Sequence, residues 1–162
     1  MKVSVIMGSA NDLCKVEPAI LLLKNYGVKV DVRCLSAHRV HDNLISFIKE
    51  ANENGTEVII AAAGMAAALP GVIASQTIIP VIGVPLSGKN LDGLDALLSI
   101  VQMPSGIPVA TVAIDGSKNA EYLALQIIAL KYSVVKDKLL EERRLNKETC
   151  LKQDQDILNK YL

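Results

Sequence analysis

A chain of 162 residues has room for one α/β domain with a sizeable core and is too short for two ordinary ones. Its 17 basic and 17 acidic residues cancel and are scattered in both signs, so no basic face for DNA, RNA or anionic lipid is on offer. Cys14, Cys34 and Cys150 are odd in number and lack CxxC spacing, which argues against a disulfide framework or a zinc site and for reduced thiols. Residues 1–7 run straight into a strand pattern without the features of a signal peptide, and no apolar run reaches the roughly 18 to 20 residues of a bilayer span. A soluble, cytoplasmic protein is expected. With one Phe and no Trp, its core must be built from Ala, Val, Ile and Leu.

In chain order, short runs rich in β-branched residues predict strands over Val3 to Met7, Lys29 to Leu35, Glu57 to Ala63, Val81 to Pro85 and Val109 to Ile114. Helical patterns fill the gaps, over Leu13 to Asn25, Asp42 to Asn54, Ala66 to Ser75 and Leu91 to Gln102, each followed by Gly or Pro punctuation. Strict alternation of this kind predicts a three-layer αβα domain around a five-stranded parallel sheet of flavodoxin-like order. From Asn119 the pattern is helical almost to the end, first apolar and then charged from Lys136 to Arg144. Residues 1–131 are therefore expected to form the catalytic domain and 132–162 a helical extension packed on neighbouring subunits. The segment Ala66 to Ser75 is apolar nearly all round, a pattern of helices buried on every side, and it too points to a homo-oligomer. The alternative is a frayed tail on a monomer.

In an open parallel sheet, ligands bind beyond the carboxyl ends of the strands, where the strand order reverses. That rule gathers three loops. In the first, Gly8 permits a tight turn while Ser9, Asn11 and Asp12 offer a hydroxyl, an amide and a carboxylate beside the free N–H groups of a helix start. Capping by Asn11 or Asp12 is the structural alternative. In the second, Ser36-Ala37-His38-Arg39, the guanidinium can grip a phosphate through two parallel hydrogen bonds and Ser36 can add a donor. His38 is the group whose ordinary pKa lies near neutrality, which suits a proton carrier, although a lone histidine can equally serve a structural bond. The third loop, Gly64 to Gly71, is built of small residues that let backbone approach a flat ring, Gly64, Ala66 and Ala67 among them. His41 lacks the companions of a metal ligand, so no metal is expected. The first loop carries neither G-x-G-x-x-G nor a P-loop, and no aromatic residue stands by to receive a flavin.

Met7-Gly8-Ser9-Ala10-Asn11-Asp12, Ser36-Ala37-His38-Arg39, Leu69-Pro70-Gly71, Pro80-Val81-Ile82-Gly83-Val84-Pro85 and Leu98-Ser99-Ile100-Val101-Gln102-Met103-Pro104 together make the chain resemble a known family. It is that of the N5-carboxyaminoimidazole ribonucleotide mutases of purine biosynthesis and their relatives, the aminoimidazole ribonucleotide carboxylases. The likeness covers nearly residues 1 to 131. It implies movement of a carboxylate from the exocyclic nitrogen to C4 of the imidazole ring, with no metal, biotin or nucleoside triphosphate as cofactor. It further implies that Ser9, Asp12 and Arg39 bind the ribose phosphate with Ser36 assisting, while Asn11, which stands where the family has a second Ser, can still cap and hydrogen-bond in the substrate-binding loop. By the same resemblance His38 moves the protons, while Gly64, Ala66, Ala67 and Leu69 line the ring side. Family habit implies an octamer, and an ATP-dependent synthetase upstream to supply the substrate. Ala68 departs from the pattern, which has a histidine there, and keeps two alternatives open: direct carboxylation by carbon dioxide, or a non-catalytic nucleotide-binding module.

Overall fold

The computed structural model describes all 162 residues. Five strands, β1 (Lys2–Met7), β2 (Lys29–Cys34), β3 (Val58–Gly64), β4 (Val81–Leu86) and β5 (Ala110–Thr111), form one parallel sheet in the order β2-β1-β3-β4-β5. The chain starts at β1, steps out to β2, then returns across β1 to continue through β3. The order reverses there, which is the flavodoxin-like arrangement expected from the alternation of strand and helix patterns.

Side chains alternate across the pleat, so each strand feeds two cores. Val3, Val5, Val58, Ile60, Ala62, Ile82, Val84 and Leu86 face α1 (Leu13–Asn25) and α5 (Ser117–Ala129). Ile6, Ile59, Ala61, Ala63 and Val81 face the other way, toward α2 (His41–Glu53), α3 (Leu69–Ala74) and α4 (Leu94–Val101). Both faces are covered by helices, which is why the central strands are apolar without interruption.

The elements depart from the sequence reading in four places, each for a local reason. The helix expected from Ala66 begins only at Leu69, because Pro70 has no N–H for the Ala66 carbonyl and fits only the first turn of a helix, while Met65 just before is left-handed (φ 56°). The helix expected from Leu91 starts only at Leu94, since Leu91 (φ 58°), Asp92 (φ 46°) and Gly93 (φ 88°) are all left-handed and hold Leu91–Gly93 as a separate single turn. The last strand shrinks from Val109–Ile114 to Ala110–Thr111, paired only through Ile82 to Ala110 and Gly83 to Thr111 at the sheet edge. The long terminal helical pattern is split at Leu130–Tyr132 into α5 and α6 (Ser133–Tyr161).

At 29 residues α6 is about 44 Å long. Val135 and Leu139 sink into the same core as α5, and every residue from Arg143 to the end is exposed. Cys14, Cys34 and Cys150 are all free and exposed. No helix is long and apolar enough to cross a membrane.

Candidate functional site

The carboxyl ends of β1, β2, β3 and β4 surround a cleft of about 520 Å3. After β1, Ser9 is extended (φ −147°) and its Oγ accepts the Asn11 N–H at 3.3 Å, while the Asp12 N–H donates to the Ser9 carbonyl at 3.1 Å. Ser9 thus caps the turn over Ala10–Asp12, and the Asp12 side chain makes no capping bond to α1. Its carboxylate stays available, half-buried in the cleft wall. Burial pushes the Asp12 carboxyl above the usual carboxylate range, with the Ser9 backbone and the Lys15 charge acting against that rise.

The second loop continues the strand pairing by one bond, from the Leu35 N–H to the Met7 carbonyl at 2.9 Å. It then folds back, with the N–H groups of Arg39 and Val40 both donating to the Ser36 carbonyl at 3.3 and 3.0 Å. Arg39 Nη2 donates to the Gly8 carbonyl at 3.1 Å, so the guanidinium ties the second loop to the first while its outer face stays exposed. The His38 imidazole is exposed at the cleft and has no hydrogen-bond partner in the chain, so the structural role open to a lone histidine is not filled.

The third loop runs from Gly64 through Met65, Ala66, Ala67 and Ala68 to Leu69, with Ala67 and Leu69 buried. Met65 is exposed and left-handed, a conformation that costs a residue bearing a side chain and concentrates at functional sites. Ala68 lines the cleft with a methyl group only.

All ten residues singled out from the sequence line this one cleft: Ser9, Asn11 and Asp12; Ser36, His38 and Arg39; Gly64, Ala66, Ala67 and Leu69. His41 does not. It opens α2 and lies exposed outside the lining. The fourth wall, Leu86 at the end of β4 with Ser87 and Gly88 after it, escaped sequence reasoning. The rule that located the first three loops would have found it, had the sheet order placing β4 beside β3 been used. A larger depression of about 960 Å3, at the opposite end of the sheet between Asn52, Thr77 and Pro108, carries no titratable side chain and offers no comparable chemistry. No group of three or more His, Cys, Asp or Glu residues is placed to hold a metal ion.

Comparison with known proteins agrees with this geometry. The sequence model of a family described as AIR carboxylase matches residues 2–149. The N5-carboxyaminoimidazole ribonucleotide mutase of Saccharolobus solfataricus is 55% identical over 138 residues, covering 85% of this chain and 87% of that protein. The protein of the same name from Pyrococcus horikoshii is 56% identical over 137 residues, covering 85% and 77%. Among solved structures, PurE of Treponema denticola superposes with a TM-score of 0.88 over 96% of this chain and 97% of that one, at 28% identity. With a family match across nearly its whole length, and with the motif-bearing loops gathered at one sheet edge, this chain belongs to the AIR carboxylase family.

Proposed function

We propose that the chain is an N5-carboxyaminoimidazole ribonucleotide mutase acting in purine biosynthesis. The observation that carries this reading is the convergence of the Ser36-Ala37-His38-Arg39 loop with the first and third loops on one cleft, in a chain more than half identical to proteins of that name. Ser9, Asn11, Asp12, Ser36 and Arg39 hold the ribose phosphate, with Arg39 supplying the positive fork. Gly64, Ala66, Ala67 and Leu69 form the smooth wall against which the flat imidazole lies.

In the reaction the carbamate N–C bond breaks and the exocyclic nitrogen takes up a proton. Carbon dioxide, held beside the ring, is attacked by C4, and the new C–C bond forms. The C4 proton then leaves, restoring aromaticity. His38 gives the first proton and receives the second, so the enzyme ends as it began. Holding the released carbon dioxide against C4 replaces a bimolecular encounter by an intramolecular one.

A neighbouring copy would close the open side of the cleft, and we propose a homo-oligomer, an octamer. It is supported by the exposed apolar residues Leu91, Leu94, Leu98 and Val101 around α4, by exposed Ile78 and Leu130, and by the outer part of α6, exposed from Arg143 to the end. Residues 132–162 then serve as the extension that reaches neighbouring subunits. The carbamate substrate must come from an ATP-dependent carboxylation, and a cytoplasmic location suits that pathway.

Ala68 favours one second reading, a carboxylase using free carbon dioxide, since it removes a polar group from the ring side of the cleft. Both are tested by turning over freshly made, unlabelled N5-carboxyaminoimidazole ribonucleotide in excess labelled bicarbonate. Product without label at C4 establishes direct transfer. Labelled product, also formed from the uncarboxylated ribonucleotide, establishes the carboxylase. In either case His38→Asn is expected to retain nucleotide binding and lose turnover.

A further inference from the structure

Lys15 stands one turn along α1 from Asp12, and its Nζ leaves the nucleotide-binding loop to meet the two loops beyond the sheet's other half. It donates to the Ser87 carbonyl at 2.9 Å, to Ser87 Oγ at 2.5 Å and to the Asp115 carboxylate at 3.0 and 3.2 Å. Asp115 also receives the Ser87 N–H at 2.9 Å and the Ser87 hydroxyl at 2.5 Å. Every polar group of Ser87 is thereby engaged on the side away from the cleft. The residue still lines the cleft, followed by Gly88, where an added Cβ would meet nothing.

The loop carrying Asp115 is shaped for this contact. Asp115 is left-handed (φ 54°), its N–H donates to the Pro85 carbonyl at 2.9 Å, and nearby Ser117 Oγ donates to the Lys15 carbonyl at 2.6 Å. Burial acts to raise the Asp115 carboxyl, yet the bonds from Ser87 and Lys15 hold it below the usual carboxylate range. Three segments distant in sequence, the start of α1, the end of β4 and the turn before α5, are fastened at one point.

We propose that the Lys15–Asp115 pair is a positioning device that fixes the Ser87–Gly88 loop against the nucleotide-binding loop and so sets the width of the cleft. Neither residue lines the cleft, so they act through Ser87 rather than on the ligand. The proposal rests on the nucleotide-binding reading given above.

The test is a double-mutant cycle of Lys15→Met and Asp115→Asn in the full chain, following KM, kcat, melting temperature and hydrogen exchange at the Ser87 amide. Asparagine is chosen because it tolerates left-handed backbone. It also leaves the Lys15 charge beside Asp12, so an effect of Asp115→Asn on KM cannot arise from a lost field there. Each single variant is expected to raise KM roughly tenfold, the equivalent of one charge-assisted bond, with a smaller change in kcat. The Ser87 amide should exchange faster, and the double variant should be no worse than the worse single. Lys15→Arg, which keeps the charge and can still reach Asp115, should restore much of the affinity.

A fall in melting temperature with KM unchanged would reduce the pair to a structural tie and overturn the proposal. So would additive effects, or a raised KM with Ser87 exchange unaltered. If the wild-type chain turns over neither ribonucleotide, the proposed function fails on its own. The cycle is then read on affinity for ribose 5-phosphate, where loss in both singles supports the device and unchanged affinity overturns it.

Discussion

Glu121 is a carboxyl with nowhere to put a charge. It is fully buried on α5, and neither oxygen has a hydrogen-bond partner. The phenols of Tyr26 and Tyr122 both donate to Glu142 on α6 instead. Burial above all, with the Glu142 charge adding to it and Lys118 only partly opposing, pushes the Glu121 carboxyl up to about 8. The same Glu142 contact pushes the Tyr122 phenol up to about 12. At Glu121 the folded chain keeps a proton that the unfolded chain releases near pH 4.3. The contribution of this one group to stability is therefore greatest below that value, falls as pH rises, and levels off once the pH passes about 8, while Asp115, held low, acts in the opposite sense in acid. Denaturant unfolding at pH 5 and pH 8.5 should show the fall, and Glu121→Gln should remove it, gaining on the order of 1–3 kcal/mol over wild type at the higher pH. An unchanged difference between the two pH values would mean that Glu121 is ionised or hydrated in the fold. Residues of this kind are invisible in sequence, where Glu121 sits in an ordinary helical pattern. The Ser36-Ala37-His38-Arg39 loop is the opposite case, because its chemistry is carried by adjacent residues.

Elements were legible wherever periodicity was strong and were misjudged where one backbone angle intervened. The apolar stretch from Ala66 reads as helix throughout, yet Pro70, whose fixed φ and missing N–H confine it to a first turn, delays α3 to Leu69 and leaves Ala66 and Ala67 as cleft lining. Gly83 shows a different constraint. It lies mid-strand in β4, where glycine is ordinarily unfavourable, but a Cβ there would strike the Ile100 side chain of α4 and come within 2.9 Å of Val109. The missing side chain lets α4 seat against β4. Gly83→Ala should cost about 1–3 kcal/mol through overpacking, read as a lowered denaturation midpoint at unchanged m-value. A neutral result would show that Ile100 repacks freely.

For the whole molecule, the single chain satisfies its sheet but not its surface. Leu94 and Leu98 are each 50% exposed on α4 and Leu130 is 89% exposed, while Leu151, Ile157 and Leu158 stand out along α6. Leaving such side chains in water forgoes the stabilisation that burial by another copy would provide. Sedimentation velocity should give a particle of about eight times the 17.4 kDa chain mass. A particle of one chain mass would overturn the oligomer and, with it, the closure of the cleft by a neighbour.

Strand and helix order, and hence the parallel sheet and its binding edge, followed from the sequence alone, because hydrophobic periodicity and the handedness of strand crossovers are local rules that propagate into topology. So did the carboxyl-edge residues of the first two loops with Gly64, Ala66 and Ala67, since each sits within a few positions of a strand end, whereas Leu69 was picked out by resemblance to the family's Leu-Pro-Gly turn. The tertiary structure alone decided what depends on contacts between distant segments. It joined Lys15 and Ser87 to Asp115, the first across 100 positions, and left Glu121 without a partner. Distances of a few ångströms between segments far apart in the chain are set by packing, and no pattern along the chain encodes them.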